Sequence, residues 1–203
     1  MTYSELQASI LDWLARPDLS TVVLEFIENA EARLNRDPRV RQLTARIAFP
    51  IDADGEDVPA DLRAIDSLYL DGPIYYGPIN IVGGDVLPRL KLQGTTGPPT
   101  AAAVLGRKLY FAPAIAAEYD ALISYYLKVP TLSDAEPTNW LLDDHPDIYR
   151  LAALVESAPY LQDDQRLPMW ESMLSGRLED LFVSSQQEAF SGTLTRTAHP
   201  LGG

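Results

Sequence analysis

The chain has 203 residues, 46% of them apolar and 22% charged, a mix that excludes wholesale disorder and fits one large domain or two small ones. It contains no cysteine, which excludes disulfides, iron–sulfur clusters and thiolate zinc sites. A formal net charge of −13 opposes a phosphate backbone, so sequence-specific nucleic-acid binding is not expected and the acidity serves solubility. Met1 to Glu5 carries no basic signal-peptide region, and no apolar run approaches the roughly 18 residues that span a bilayer. A soluble protein made in the cytoplasm, with no membrane partner, is expected.

The opening segment reads as a helical hairpin. Thr2 and Glu5 have capping-box spacing, and Leu6, Ile10, Trp13 and Leu14 fall on one helical stripe that Pro17 stops. Ser20 is placed to cap a second helix with Val23, Phe26, Ile27, Ala30 and Leu34 on its apolar face. Glu31 and Arg33 to Arg36 are assigned to its wetter side, and Pro38 marks the exit.

From about residue 43 the period changes to two and Pro, Gly and Asp punctuate the chain, the pattern of antiparallel β structure. Strands are expected around Ala45, Ile47 and Phe49, over Ala64 to Leu70, over Lys108 to Ala112, and over Glu118 to Lys128. The last has Tyr119, Ala121, Ile123, Tyr125 and Leu127 on one face and Leu122 and Tyr126 on the other, as a central or covered strand would. Gly72 to Pro99 is rich in Gly and Pro and reads as a long loop serving subunit or partner contact, with room for a short helix in Ile79 to Leu92.

Helix returns at Asp144-His145-Pro146, with Pro146 where its missing N–H costs nothing and Ile148, Leu151, Ala152 and Val155 as the stripe. Pro159 and Asp163-Asp164 are expected to break and restart the chain before a final helix with Leu167, Trp170, Leu174, Leu178 and Leu181 on one face. From Glu188 onward the pattern is that of an extended tail. The fold expected is α+β. Helical hairpins from residues 1–42 and 131–187 pack together, a β-rich region over 43–130 contains the loop 72–99, and a tail occupies 188–203.

Each constellation that offers chemistry has a structural explanation. Asp143-Asp144-His145-Pro146-Asp147 has metal-ligand types, but a helix start uses the same residues for capping and the dipole. Asp52-Ala53-Asp54-Gly55-Glu56-Asp57 has glycine in fourth rather than sixth place for an EF-hand and reads as a turn. His199 stands in the tail, and the glycines of Gly83-Gly84 and Gly94 to Gly97 lack a phosphate-loop lysine. No enzyme, no cofactor and no metal is expected. Trp140, Tyr160 and Trp170 read as packing residues.

Thr138-Asn139-Trp140-Leu141-Leu142, His145-Pro146-Asp147-Ile148-Tyr149, then Ala153, Glu156, Ala158-Pro159-Tyr160-Leu161 and Asp163-Asp164 together resemble the tailed-bacteriophage head-to-tail adaptor (connector) proteins. Tyr3-Ser4-Glu5-Leu6, Asp12-Trp13-Leu14 and the run Phe26 to Arg36 are similar to that family's opening helices. The middle matches only in order, with Val58 to Leu62 before a strand and Leu109-Tyr110-Phe111-Ala112-Pro113 before a Tyr-rich one.

The resemblance implies a structural virion protein of the phage neck, assembled in the host cytoplasm as a homo-oligomeric ring of about twelve copies. The ring would dock beneath the portal protein and above a tail or nozzle protein, with DNA as non-specific passing cargo in its lumen. Trp140, His145, Pro146, Asp147, Tyr149, Pro159, Asp163 and Asp164 are family-motif positions with structural roles, and portal docking is assigned to the tail residues Phe190, Leu194, Thr195, Arg196, Pro200 and Leu201. The alternatives are a stopper or tail-completion protein of the neck and, more distantly, a regulatory domain or small metal-dependent hydrolase using Asp143, Asp144 and His145.

Overall fold

The computed structural model describes residues 1–52, 54–72, 76–92, 94, 96–162 and 165–191, and for residues 76 and 188–191 the description covers the backbone alone. The protein is α+β and divides into two compact units, one from Met1–Leu43 and Lys128–Phe190, the other built on Thr44–Leu127.

In the helical unit, α1 (Tyr3–Leu14) starts at a complete capping box. Thr2 Oγ1 accepts the Glu5 N–H, and Glu5 Oε2 accepts the Thr2 N–H at 2.8 Å. Leu6, Ile10 and Leu14 are buried, whereas Trp13 is exposed and lies under the Arg150 guanidinium, 4.6 Å from its ring centre. A short 3-10 turn (Pro17–Leu19) leads to α2 (Val23–Arg36). The expected Ser20 cap is corrected: Ser20 closes the 3-10 turn in helical geometry, and Val22 caps α2 with no side-chain bond. The buried Leu19 and Val23 hold that junction by packing instead. A one-turn helix, α3 (Pro38–Arg41), begins at Asp37, whose carboxylate accepts the Arg39 N–H.

The second helical stretch contains α5 (Trp140–Asp144), α6 (Pro146–Leu161) and α7 (Leu167–Ser191), numbered after α4 (Leu87–Lys91) of the other unit. Helix α6 contacts α1, α2 and α5 and is apolar on most sides; Ile148, Tyr149, Leu151 to Val155 and Ala158 are all buried. Pro159 does not break the chain as expected. It lies inside α6, which continues to Leu161 and ends at Gln162 with φ 51°. Its missing N–H removes one bond near the helix end, and packing of Ser157 and Ala158 holds the turn. Helix α7 buries Trp170, Leu174, Leu178 and Leu181 and runs to Ser191, three residues past Glu188, where an extended tail is expected.

The β unit has two four-stranded sheets. The first has the order β1 (Thr44–Ala48), β8 (Ala121–Leu127), β3 (Leu62–Asp71), β4 (Tyr76–Pro78). Strand β8 is central and antiparallel to both β1 and β3, with register shifts against β3 between Leu62/Ala64 and Ile65/Ser67. Ala121, Ile123, Tyr125 and Leu127 are buried, and Leu122, Ser124 and Tyr126 are half-buried.

The second sheet has the order β2 (Glu56–Asp57), β7 (Lys108–Ala112), β6 (Ala101–Leu105), β5 (Asn80–Ile81), with β5 parallel to β6. The segment read as a long loop thus holds β4, β5 and α4. Leu87 of α4 packs with Ala103 and Ala112, and Val82, Leu90 and Tyr110 close around them. At the acidic turn, Gly55 has φ 122° and Tyr110 lies 3.1 Å from where a Cβ would stand, so a side chain is opposed twice there. Asp54 pairs with Lys91 and accepts the Phe111 N–H.

Candidate functional site

Within the helical unit, the irregular strap from Lys128 to Asn139 is held mostly by side chains. Asn35 of α2 clamps Val129, donating to its carbonyl and accepting its N–H, both at 2.9 Å. Trp140 Nε1 donates to the Lys128 carbonyl at 2.9 Å, and the Tyr3 N–H reaches the Pro137 carbonyl at 2.8 Å. At the centre, Glu31 Oε1 accepts the Leu132 N–H at 2.8 Å and the Tyr149 hydroxyl at 2.7 Å. Asn139 Nδ2 donates to that hydroxyl oxygen at 3.1 Å and to the Pro130 carbonyl at 2.7 Å, while its Oδ1 caps α5 through Leu142.

Burial raises the Glu31 pKa, and the donors from Leu132 and Tyr149 work against that rise. The Tyr149 hydroxyl is pushed well above its ordinary range by burial first and by the Glu31 carboxylate second. Glu31 is therefore corrected from the wet to the dry side of α2. The carboxylate remains inside because hydrogen-bond donors from α6 and the strap meet it there.

Two of the family-motif positions, Trp140 and Tyr149, anchor this strap. Both are buried, and Pro146 opens α6. His145 is the N-cap of α6 without a side-chain capping bond, while Asp143 and Asp147 lie in the first turns of α5 and α6, where a carboxylate suits the dipole. Asp163 and Asp164 lie outside the described residues, as do Leu194, Thr195, Arg196, Pro200 and Leu201; Phe190 is described only as helical backbone in α7.

His145, Asp147, Ile148, Arg177, Asp180, Leu181 and Ser184 line a shallow cleft of about 260 Å³ between α6 and α7. Arg177 bonds Asp147 at 3.0 Å, and the Ser184 hydroxyl donates to the Leu181 carbonyl at 3.0 Å. The Arg177–Asp147 pair ties α7 to α6, whereas the Ser184 bond is internal to α7, so the cleft reads as a joint. Further joints hold α7: Arg33, which pairs with Glu156 of α6 at 2.8 Å, meets Glu171 at 3.9 Å, and Arg39 donates to the Ser175 carbonyl at 3.0 Å.

Sequence reasoning missed Glu31, Asn35, Asn139 and Arg150. Two signals were available. Glu31 shares the face of Ile27, Ala30 and Leu34, and Asn139 stands directly before an apolar run as an N-cap would. Arg150, which stacks on Trp13 and reaches Ser9 Oγ at 3.2 Å, has no such local signal.

Among the described residues no helix is long and apolar enough to cross a membrane. No curated protein matches the chain. The strap's anchors Glu31, Asn139, Trp140 and Tyr149 lie in the segments that resemble phage neck proteins, and the likeness extends far beyond them. Residues 1–197 match the family model of the SU10 adaptor protein, and the protein belongs to this family of phage head-to-tail adaptors.

Proposed function

We propose that the protein forms a closed ring of about twelve copies between the portal and the next tail or nozzle component, with DNA passing through its lumen. The observation that carries this reading is the adaptor-family match over residues 1–197, which spans both units rather than one motif. The geometry supports it in kind. The buried Glu31–Tyr149 bond and the Arg177–Asp147 pair hold helices together, which suits a part whose work is to present surfaces in fixed positions.

The segment 192–203 docks the ring to the portal, with Leu194, Arg196 and Leu201 as contacts, and a net charge of −13 keeps passing DNA from adhering. The test is to mix purified full chain with purified portal protein and to examine the product by electron microscopy, with and without residues 192–203. A ring seated on the portal is expected for the full chain and its loss on truncation. Absence of portal binding by the full chain would overturn the reading.

A further inference from the structure

Two exposed apolar surfaces, one in each unit, carry opposite charges at their centres. The first is on α7. Opposite the buried stripe of Trp170, Leu174, Leu178 and Leu181, positions 169, 173, 176, 180 and 183 follow the alternating spacing of four and three that marks a helix-pairing seam. Met169 is 51% exposed, Met173 40% and Val183 44%. Gly176 leaves a notch in the seam, since a Cβ there would meet nothing within 4 Å. Asp180 stands in the seam with its side chain 78% exposed, 3.9 Å from Arg177.

The second surface is the outer side of α4. Leu87 and Leu90 pin that helix to the sheet, Lys91 is tied to Asp54, and Val86, Arg89 and Leu92 project outward at intervals of three residues. Leu92 is 86% exposed, more than any other large apolar side chain among the described residues. At about 1.5 Å of rise per residue, Val86 to Leu92 spans about 9 Å and Gly176 to Val183 about 10.5 Å.

We infer that these surfaces meet between neighbouring copies. Running antiparallel, α4 of one copy sets Leu92 into the Gly176 notch of the next, Arg89 against Asp180, and Val86 against Val183. A cation flanked by apolar groups thus faces an anion flanked by apolar groups, and charge complementarity selects the register. The two patches differ, which is what a closed cyclic assembly of identical chains requires. Pairing α7 with α7 would instead place both Asp180 carboxylates in one seam. The inference rests on the ring reading above and supplies its interface.

Because the chain has no cysteine, Val86→Cys and Val183→Cys each introduce one thiol. Mixed with portal protein and oxidised, the two variants are expected to form a disulfide with each other and neither with itself. Arg89→Glu or Asp180→Arg in that background lowers the cross-link yield about tenfold, and the two together restore it, which excludes misfolding as the cause. Rings on the portal by microscopy with no Val86–Val183 cross-link would overturn the interface and leave the ring standing. Self-linkage of Val183→Cys would assign the seam to an α7–α7 pair, and linkage to a portal thiol would assign it to the portal; either sinks the proposal. Failure of the unmodified chain to form rings would sink ring and interface together.

Discussion

The helical unit and the second sheet of the β unit solve the same packing problem with different materials. The helical unit buries large side chains, including Trp170, Tyr149, Phe26 and Leu6, and encloses a hydrogen-bonded carboxylate among them. The second sheet buries Leu109 and Phe111 as well, but under α4 it presents Ala103 and Ala112, which let that helix approach closely through Leu87. Small residues allow close approach but leave a five-residue helix too short to bury both its sides. Its outer side is therefore available to a neighbour, whereas the polar knot of the helical unit specifies one arrangement of strap and helices.

The largest effect expected from breaking this contrast is that of Trp170→Ala, which empties the α7 face and lowers stability by about 3–5 kcal/mol in chemical denaturation. Tyr149→Phe removes one donor from Glu31 and one acceptor from Asn139, both buried, and is expected to cost about 1–3 kcal/mol. Hydrogen exchange should place the early loss in residues 128–139, and unchanged protection there would contradict the strap's dependence on the knot. Ala103→Leu tests the other material: overfilling the α4 contact is expected to cost about 1–3 kcal/mol, read as faster exchange in α4 and β6.

The smallest effect is that of pH. Glu31 is raised above its ordinary value of 4.5, so the folded state holds a proton there that the unfolded state releases, and stability falls as pH rises through that window. Relative to Glu31→Gln, the unmodified chain should gain stability as pH falls toward 4.5. Asp37, held below its ordinary 3.8 by Arg39, acts oppositely and lower: its contribution is present above that value and lost as pH falls through the depressed one. Parallel stability profiles for the unmodified chain and Glu31→Gln above pH 4.5 would show that Glu31 ionises normally.

Both helical ends were legible because their signals are local. The Thr2–Glu5 box, Pro146 at a helix start and the stripe from Trp170 to Leu181 each require only neighbours within a few turns. Strand β6 was not legible, since Ala101, Ala102 and Ala103 have poor strand propensity, and the value of Ala103 there is the room it leaves for Leu87 of α4. Pro159 misled for a similar reason, because packing around the end of α6 outweighs one lost hydrogen bond.

What the sequence determined by itself was the α+β class, the starts of α1 and α6, and the likeness to phage neck adaptors, all properties of residues close together in the chain or of a pattern along it. Tertiary structure decided the fate of Glu31, whose donors stand 101 and 118 residues away, and the outward side of α4. Whether a carboxylate can stay buried, or a leucine must stay exposed, depends on which groups the fold brings to meet it, and that information is not local.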